Sequence, residues 1–293
     1  MNSIVTLLND SPVVFLVLIC LLGLIIGSFL NVVIHRLPRI LEQQWQQQCH
    51  QLLGIAQKEN EPEPAPGLVS PCSQCPHCGH RISALENIPV LSYLILGGKC
   101  SSCKQGISIR YPIVELISAL LAVAVAWKWG VSTTTAAVLV LTWSLIALSF
   151  IDYDHQILPD IIVLPLLWLG LLFNSQNMFA SIESALYGAM AGYLSLWLVY
   201  HGFKLLTGKE GMGYGDFKLF AVFGAWLGWQ LLPVIILLAA VAGSVIGLGA
   251  ILILGRDRNL PMPFGPYLAI TGWIAVLWGD NLLGAYLRYA GLT

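Results

Sequence analysis

The groups in this chain capable of chemistry are a few polar residues set in apolar sequence. Three carboxyls fall in Asp152-Tyr-Asp154-His-Gln-Ile-Leu-Pro-Asp160, and a fourth stands alone in Gly211-Met-Gly213-Tyr-Gly215-Asp216-Phe-Lys218. Acidic residues at membrane depth are costly and face a polar cavity or a partner, which makes each a functional candidate. Two carboxyls on different helices at one depth suit an aspartyl protease dyad. One is ionised to take a proton from water while the other stays protonated to polarise the scissile carbonyl, since like charges side by side cannot both ionise. Glycines ahead of Asp216 would give the backbone freedom and leave space for a peptide. The plainer reading is helix capping at a water interface. It suits Asp160, which follows Pro159, and stays open for Asp154.

The second cluster is sulfur. Five of the seven cysteines form Cys72-x2-Cys75-x2-Cys78 and, after 21 intervening residues, Cys100-x2-Cys103. Paired CxxC knuckles about 20 residues apart match a tetrahedral zinc site, in which each knuckle turns two thiolates toward one metal. Cys75, Cys78, Cys100 and Cys103 are the simplest ligand set. Cys72 with Cys75 is an equally spaced alternative, and free thiols or a redox pair remain the plainer reading. A closed four-sulfur site has no open position for substrate, so its expected role is folding. His77 and His80 read as bystanders, and Cys20 and Cys49 as inert.

The elements that must position these groups follow from composition. The chain has 293 residues, 57% hydrophobic and 10% charged, with a net charge of -1. Its mean hydropathy is +0.78. A soluble domain is about 25% charged, so an ordinary cytosolic fold is excluded, as are a disordered chain and a nucleic-acid binder with a basic face. The predicted class is an all-α polytopic membrane protein of about eight transmembrane helices, because backbone groups in lipid must pair internally. No alternating barrel pattern is present. Apolar runs lie at 12–34, 113–128, 132–151, 161–173, 181–200, 217–229, 232–254 and 264–286. The first reads as a retained span, since no Lys or Arg precedes it and no cleavage site follows.

Lys and Arg are enriched in cytoplasmic loops. Arg36, Arg39, Lys58, Arg81, Lys99, Lys104, Arg110, Lys204, Lys209, Lys218, Arg256 and Arg258 fall on one side of this topology, and only Lys128 and Arg288 on the other. Both termini are therefore expected on the periplasmic side. The long insert and both aspartate segments are expected at the cytoplasmic face. The predicted organisation is a first transmembrane helix (1–34), a cytoplasmic insert with the tetracysteine zinc site (35–112), and a seven-helix membrane peptidase domain (113–293). Within the insert a Gln-rich stretch precedes Glu59-Asn-Glu-Pro-Glu-Pro-Ala-Pro66, which reads as an exposed linker.

The chain resembles the type IV prepilin peptidases over nearly its whole length. The resemblance rests on Gly27-Ser-Phe-Leu-Asn-Val-Val-Ile-His-Arg-Leu-Pro38, the two CxxC pairs, Glu86-Asn-Ile-Pro-Val-Leu-Ser-Tyr93 and Arg110-Tyr-Pro-Ile-Val-Glu115. It continues through Ile151–Asp160, Gly213-Tyr-Gly-Asp216-Phe-Lys-Leu219 and Pro263-Phe-Gly-Pro-Tyr-Leu268. It implies an inner-membrane GxGD-type aspartyl peptidase with Asp152 and Asp216 as the catalytic pair. The implied substrates are prepilins and pseudopilins, cut after Gly. The new N-terminal residue, usually Phe, would then be methylated from S-adenosylmethionine. The family links its cytoplasmic loop to that second activity, and here Glu86, Gly97 and Gly98 are the candidates for the methyl-donor region. Glu86 and Glu115 are candidates to meet the leader's positive charges or the nascent amine; solvated surface roles and a plain turn at Gly97-Gly98 are the alternatives. Two rival classes share the buried carboxylates: a proton- or cation-coupled transporter, and a scaffold or membrane methyltransferase without proteolysis. The implied partners are protein substrates and the lipid bilayer, with no nucleic acid.

Overall fold

The computed structural model describes residues 8–54, 67–68, 70–83, 85–209, 211–255, 257, 262–289 and 291. The expected linker 59–66, together with Lys58, Arg256 and Arg258 from the charge count, lies outside them. Among the described residues the chain is helical, without a strand. Isolated bridges join Gln74 to Arg81 and Lys99 to Gly106. The chain divides into two compact units, Met1–Thr135 and Ala136–Thr293.

The first unit is built on α1 (Pro12–Leu53), the short α2 (Leu91–Ile95) and α3 (Arg110–Trp129). Helix α1 does not stop where its apolar run ends at Ile34. Between Arg39 and Leu53 the sequence is rich in Gln and Leu, both good helix formers, and carries no glycine. Gly54 ends the helix with φ 62°. At 1.5 Å per residue such a helix is about 63 Å long, twice the roughly 30 Å of a bilayer's hydrocarbon. Its Gln-rich half is therefore a water-facing helix rather than a loop. Small residues seat α1 on α3. A Cβ added at Gly27 would lie 2.7 Å from the Glu115 Cα, and one at Gly23 would lie 2.7 Å from the Ala119 Cα. The Ser118 hydroxyl donates to the Gly23 carbonyl at 2.6 Å, and the Asn31 amide donates to the Tyr111 carbonyl at 3.1 Å.

The second unit contains α4 (Thr133–His155, of which the first three residues fall before the division), α5 (Asp160–Asn174), α6 (Ile182–Thr207) and α7 (Tyr214–Leu227). A single 3-10 turn (Trp229–Leu231), α8 (Leu232–Leu254) and α9 (Gly265–Tyr289) complete it. Helix α7 is the centre. From Phe217 to Trp226 every residue but Lys218 is buried, which is the signature of a helix covered on all sides by others. Its C-terminal end is fixed by polar contacts. The Trp226 indole donates to the Leu166 carbonyl at 2.9 Å. Buried Asn174 donates to the carbonyls of Ala225 and Trp226, each at 2.8 Å, and accepts from the amides of Phe179 and Ala180, each at 3.0 Å. Across the unit the Trp273 indole donates to the Thr142 hydroxyl at 2.9 Å.

The all-α membrane class is borne out. Among the described residues six helices are long and apolar enough to cross a bilayer: α1, α3, α4, α6, α8 with its leading turn, and α9. The other two of the eight expected runs form α5 and α7, of 15 and 14 residues. These are about 22 and 21 Å long, less than the hydrocarbon thickness.

Candidate active site

Asp152 sits in the last turn of α4, and Asp216 is the third residue of α7. Both are about 6% exposed. Helix α4 ends at His155, and Gln156 takes φ 56°, a left-handed residue that turns the chain back toward α5. That turn delivers Leu158 to the place where three segments meet. A Cβ on Gly215 would lie 2.7 Å from the Leu158 Cβ, and one on Gly265 would lie 3.4 Å from its Cδ1. Leu158 thus packs against the residue preceding Asp216 and against the first residue of α9.

The Gly265 amide donates to Asp152 Oδ2 at 3.0 Å. The 152–160, 213–216 and 263–266 segments are in this way one cluster, with Leu158 packed between Gly265, which holds Asp152, and Gly215 beside Asp216. Asp216 Oδ1 is buried and has no hydrogen-bond partner. Among the described residues neither carboxylate is in an ion pair. Buried carboxylates kept for stability are satisfied by cations or several donors. This pair has the Gly265 amide on Asp152, the Gly213 amide on the Asp216 carboxyl and a bare Asp216 Oδ1, which leaves both available to a water molecule and a polarised carbonyl. An edge-on aromatic group braces the entry to α7, with the Phe217 ring 5.4 Å from Tyr214, 5.7 Å from Tyr200 and 5.9 Å from Tyr193.

The remaining acidic candidates separate from these. Asp154 is exposed. Asp160 is not the N-cap of α5; that position is Pro159, and Asp160 is the first helical residue. Its carboxylate instead accepts from the Lys218 ammonium at 2.7 and 2.8 Å, an exposed ion pair between the starts of α5 and α7. The glycines of the Asp216 segment also work differently from expectation. Gly213 has φ -83°, and a Cβ there would meet nothing closer than 3.8 Å, whereas Gly215 is needed for the approach of Leu158. Two contributors, Leu158 and Gly265, were not singled out by sequence reasoning. Their signal was adjacency: each lies in a short motif beside Pro.

In the first unit the sulfurs of Cys75, Cys78, Cys100 and Cys103 all lie within 4.8 Å of one another. Cys75 and Cys103 are 3.8 Å apart, and Cys78 and Cys100 4.0 Å. A tetrahedron with 2.3 Å metal–sulfur bonds has sulfur–sulfur edges of about 3.8 Å, so the set fits a zinc ion. Cys72 is exposed and outside it. The two knuckles share one backbone pattern. The Cys75 amide donates to the His80 carbonyl and the Gly79 amide to the Cys75 carbonyl; the Cys100 amide donates to the Gln105 carbonyl and the Lys104 amide to the Cys100 carbonyl. Gly79 and Lys104, each following the second cysteine, have φ 69° and 61°. Backbone amides of His77 and Cys78 directed at the Cys75 sulfur lower its pKa to about 7, favouring the thiolate a metal needs.

Beside the knuckles, within the same unit, lies a cavity of about 580 Å³, lined by Val32, Tyr93, Ile107, Glu86 and Glu115 among others. That is in the range of small-ligand sites, and beside apolar walls its lining carries Glu86 and Glu115 as well as Arg36 and Arg39. Glu86 accepts from the Ser83 amide at 2.8 Å and faces His80 Nε2 at 3.4 Å. Hydrogen bonds from the side chain of Ser101, from Ser83 and from His80 hold its pKa down at about 2. Gly97 and Gly98 are not among the lining residues; with φ 60° and 67° they form the turn after α2, and the Gly98 carbonyl accepts from the Ile107 amide at 2.7 Å.

Residues 21–129 match the bacterial peptidase A24 N-terminal domain, and residues 139–248 match the type IV leader peptidase family. A protein of Pseudomonas aeruginosa named prepilin leader peptidase/N-methyltransferase is 55% identical over 287 residues, 97% of each chain. Proteins of that name from Stutzerimonas stutzeri and Legionella pneumophila are 55% and 44% identical, over 98% and 97% of this chain and 99% and 98% of their own. The chain belongs to the type IV leader peptidase family. The leader peptidase match spans both Asp152 and Asp216, and the N-terminal match spans the cysteine cluster and the cavity. No solved structure matches the chain.

Proposed function

We propose that this protein is an inner-membrane prepilin peptidase and N-methyltransferase. It removes the leader from type IV prepilins and pseudopilins after Gly, then methylates the new N-terminal residue, usually Phe. The observation that carries the peptidase half is the Asp152–Asp216 pair: two buried carboxyls, brought together by Leu158 and Gly265, with no cation to neutralise them. One carboxylate takes a proton from water as the oxygen attacks the scissile carbonyl, and the protonated partner donates a hydrogen bond to the developing oxyanion. Both residues lie at helix ends, not in mid-helix. That depth suits a substrate cut where its apolar helix leaves the membrane, and it is unlike a transport site near the bilayer midplane.

The methyltransferase half is supported by the relatives' names and by the cavity of the first unit, with Glu86 on its wall and the Gly97-Gly98 turn close by in sequence. S-adenosylmethionine supplies an electrophilic methyl group there. Zinc on Cys75, Cys78, Cys100 and Cys103 fastens the two knuckles that form part of that cavity's wall and has no substrate position. The distribution of Lys and Arg supports periplasmic termini and a cytoplasmic position for the two sites.

The test is to incubate membranes carrying the protein with a prepilin, with and without S-adenosylmethionine, and to weigh the product. Loss of the leader mass in both cases, with one added methyl only when the donor is present, is expected. An intact leader would refute the peptidase reading, and a trimmed but never methylated product would refute the second activity.

A further inference from the structure

Glu115 is a buried acidic residue of the first unit that the metal cluster does not use. It lies in the second turn of α3, 7% exposed, and its carboxylate lines the cavity. Its Oε2 accepts from the Val90 amide at 2.8 Å, and the Ser28 side chain also bonds to the carboxyl. Arg36 and Arg39 line the same cavity, and Arg36 donates to the Gly67 carbonyl at 2.8 Å, but among the described residues no Lys, Arg or His is in ion-pair contact with Glu115. A carboxylate held away from water with only neutral donors is short of a positive charge. The donor is itself unusual. Val90 has φ 59° and ψ -48°, a conformation that a β-branched residue avoids, so the loop entering α2 is held in a strained form with its amide on Glu115.

We propose that Glu115 receives the α-amine of the trimmed substrate in this cavity and takes a proton from it, preparing it for methylation. The proposal rests on the methyltransferase reading above. A free α-amine has a pKa of about 8 and arrives as an ammonium at neutral pH, so it supplies the positive charge that the carboxylate lacks. One N–H proton passes to the carboxylate, and the freed nitrogen lone pair attacks the methyl carbon of the donor. The carbon–sulfur bond breaks with its electrons going to sulfur. The products are a secondary ammonium and a neutral thioether, and Glu115 returns its proton to water. Val32, Tyr93 and Ile107 on the same walls suit the side chain of an N-terminal Phe. Glu86, the other carboxylate of the cavity, has its pKa held at about 2 by hydrogen bonds from the Ser101 side chain, from Ser83 and from His80, which makes it the weaker proton acceptor.

The test uses the full-length protein and Glu115→Gln, which keeps an acceptor for the Val90 amide and removes only the charge and the basicity. Four quantities are measured: leader cleavage, bound zinc, S-adenosylmethionine affinity by calorimetry, and methylation of a pre-trimmed peptide beginning with Phe. The peptide's affinity is compared with that of an analogue lacking the α-amine. Cleavage, zinc content and donor affinity should stay within about threefold. Methylation kcat/KM should fall by roughly 100-fold, and the preference for the amine-bearing peptide should vanish. Glu115→Asp, which keeps the charge on a shorter arm, should recover part of the rate.

Methylation within about threefold of wild type in Glu115→Gln would overturn the proposal. Loss of donor affinity with the amine preference intact would also overturn it, assigning Glu115 to the donor instead. Equal loss in both variants, accompanied by loss of zinc, would show a purely structural role. Should the unsubstituted protein methylate nothing, the methyltransferase reading fails and this assignment with it.

Discussion

Gly265→Ala is the sharpest perturbation of the aspartate pair that leaves both acids in place. The Gly265 amide holds Asp152 Oδ2 at 3.0 Å, and an added Cβ would lie 2.6 Å from that same oxygen and 3.1 Å from the Asp152 Cγ. Ordinary contact begins near 3.4 Å, so the carboxylate or the start of α9 must move by about 0.8 Å. Misplacing a reacting group by about 1 Å costs on the order of 100-fold in rate, and cleavage should fall by that factor. Stability should fall by no more than the local overpacking cost of about 1–3 kcal/mol, since Gly265 is the first residue of α9 and gains little of the interior preference for Ala. Cleavage of a prepilin would be followed by mass spectrometry, with the melting temperature and the methylation of a pre-trimmed peptide as controls. Cleavage within about threefold of wild type would refute the claim that this amide positions Asp152. A collapse of both activities together would show a folding defect instead.

Three further outcomes are expected. Gly215→Ala should impair cleavage far more than Gly213→Ala, because only the former drives a Cβ to 2.7 Å from Leu158; equal effects in a cleavage time course would contradict the packing described. Cys75→Ser or Cys103→Ser should lose the bound zinc on dialysis, read by elemental analysis, whereas Cys72→Ser should keep one ion per chain. Asn174→Ala should cost about 3 kcal/mol, since four backbone partners, two of them buried, lose their bonds, seen as a fall in melting temperature with the zinc content unchanged.

The membrane class and the polar clusters were legible in sequence because charge in apolar sequence is rare and cysteine spacing is regular. Helix ends were less so. The reading of α1 stopped at Ile34 because apolarity reports lipid contact, not helix continuation, and the Gln-rich half is helical through ordinary propensity and ends at Gly54. The choice between Cys72 and Cys78 was in fact decidable. In both knuckles the residue after the second cysteine has positive φ and donates its amide to the first cysteine's carbonyl. A Cys72–Cys75 knuckle would put Pro76 there, with φ fixed near -65° and no amide hydrogen. The role of Gly265 was not legible, because it depends on an approach between residues 113 positions apart. Asp160 was misjudged as a cap for a similar reason, since its partner, Lys218, lies 58 residues away.

The central claim is that Asp152 and Asp216 together cut the leader, and the most direct test is cleavage of a prepilin by Asp152→Asn, Asp216→Asn and Asp154→Asn. The first two should leave the leader intact while still methylating a pre-trimmed peptide, and Asp154→Asn should keep substantial cleavage. Cleavage that persists in either Asp152→Asn or Asp216→Asn would contradict the account.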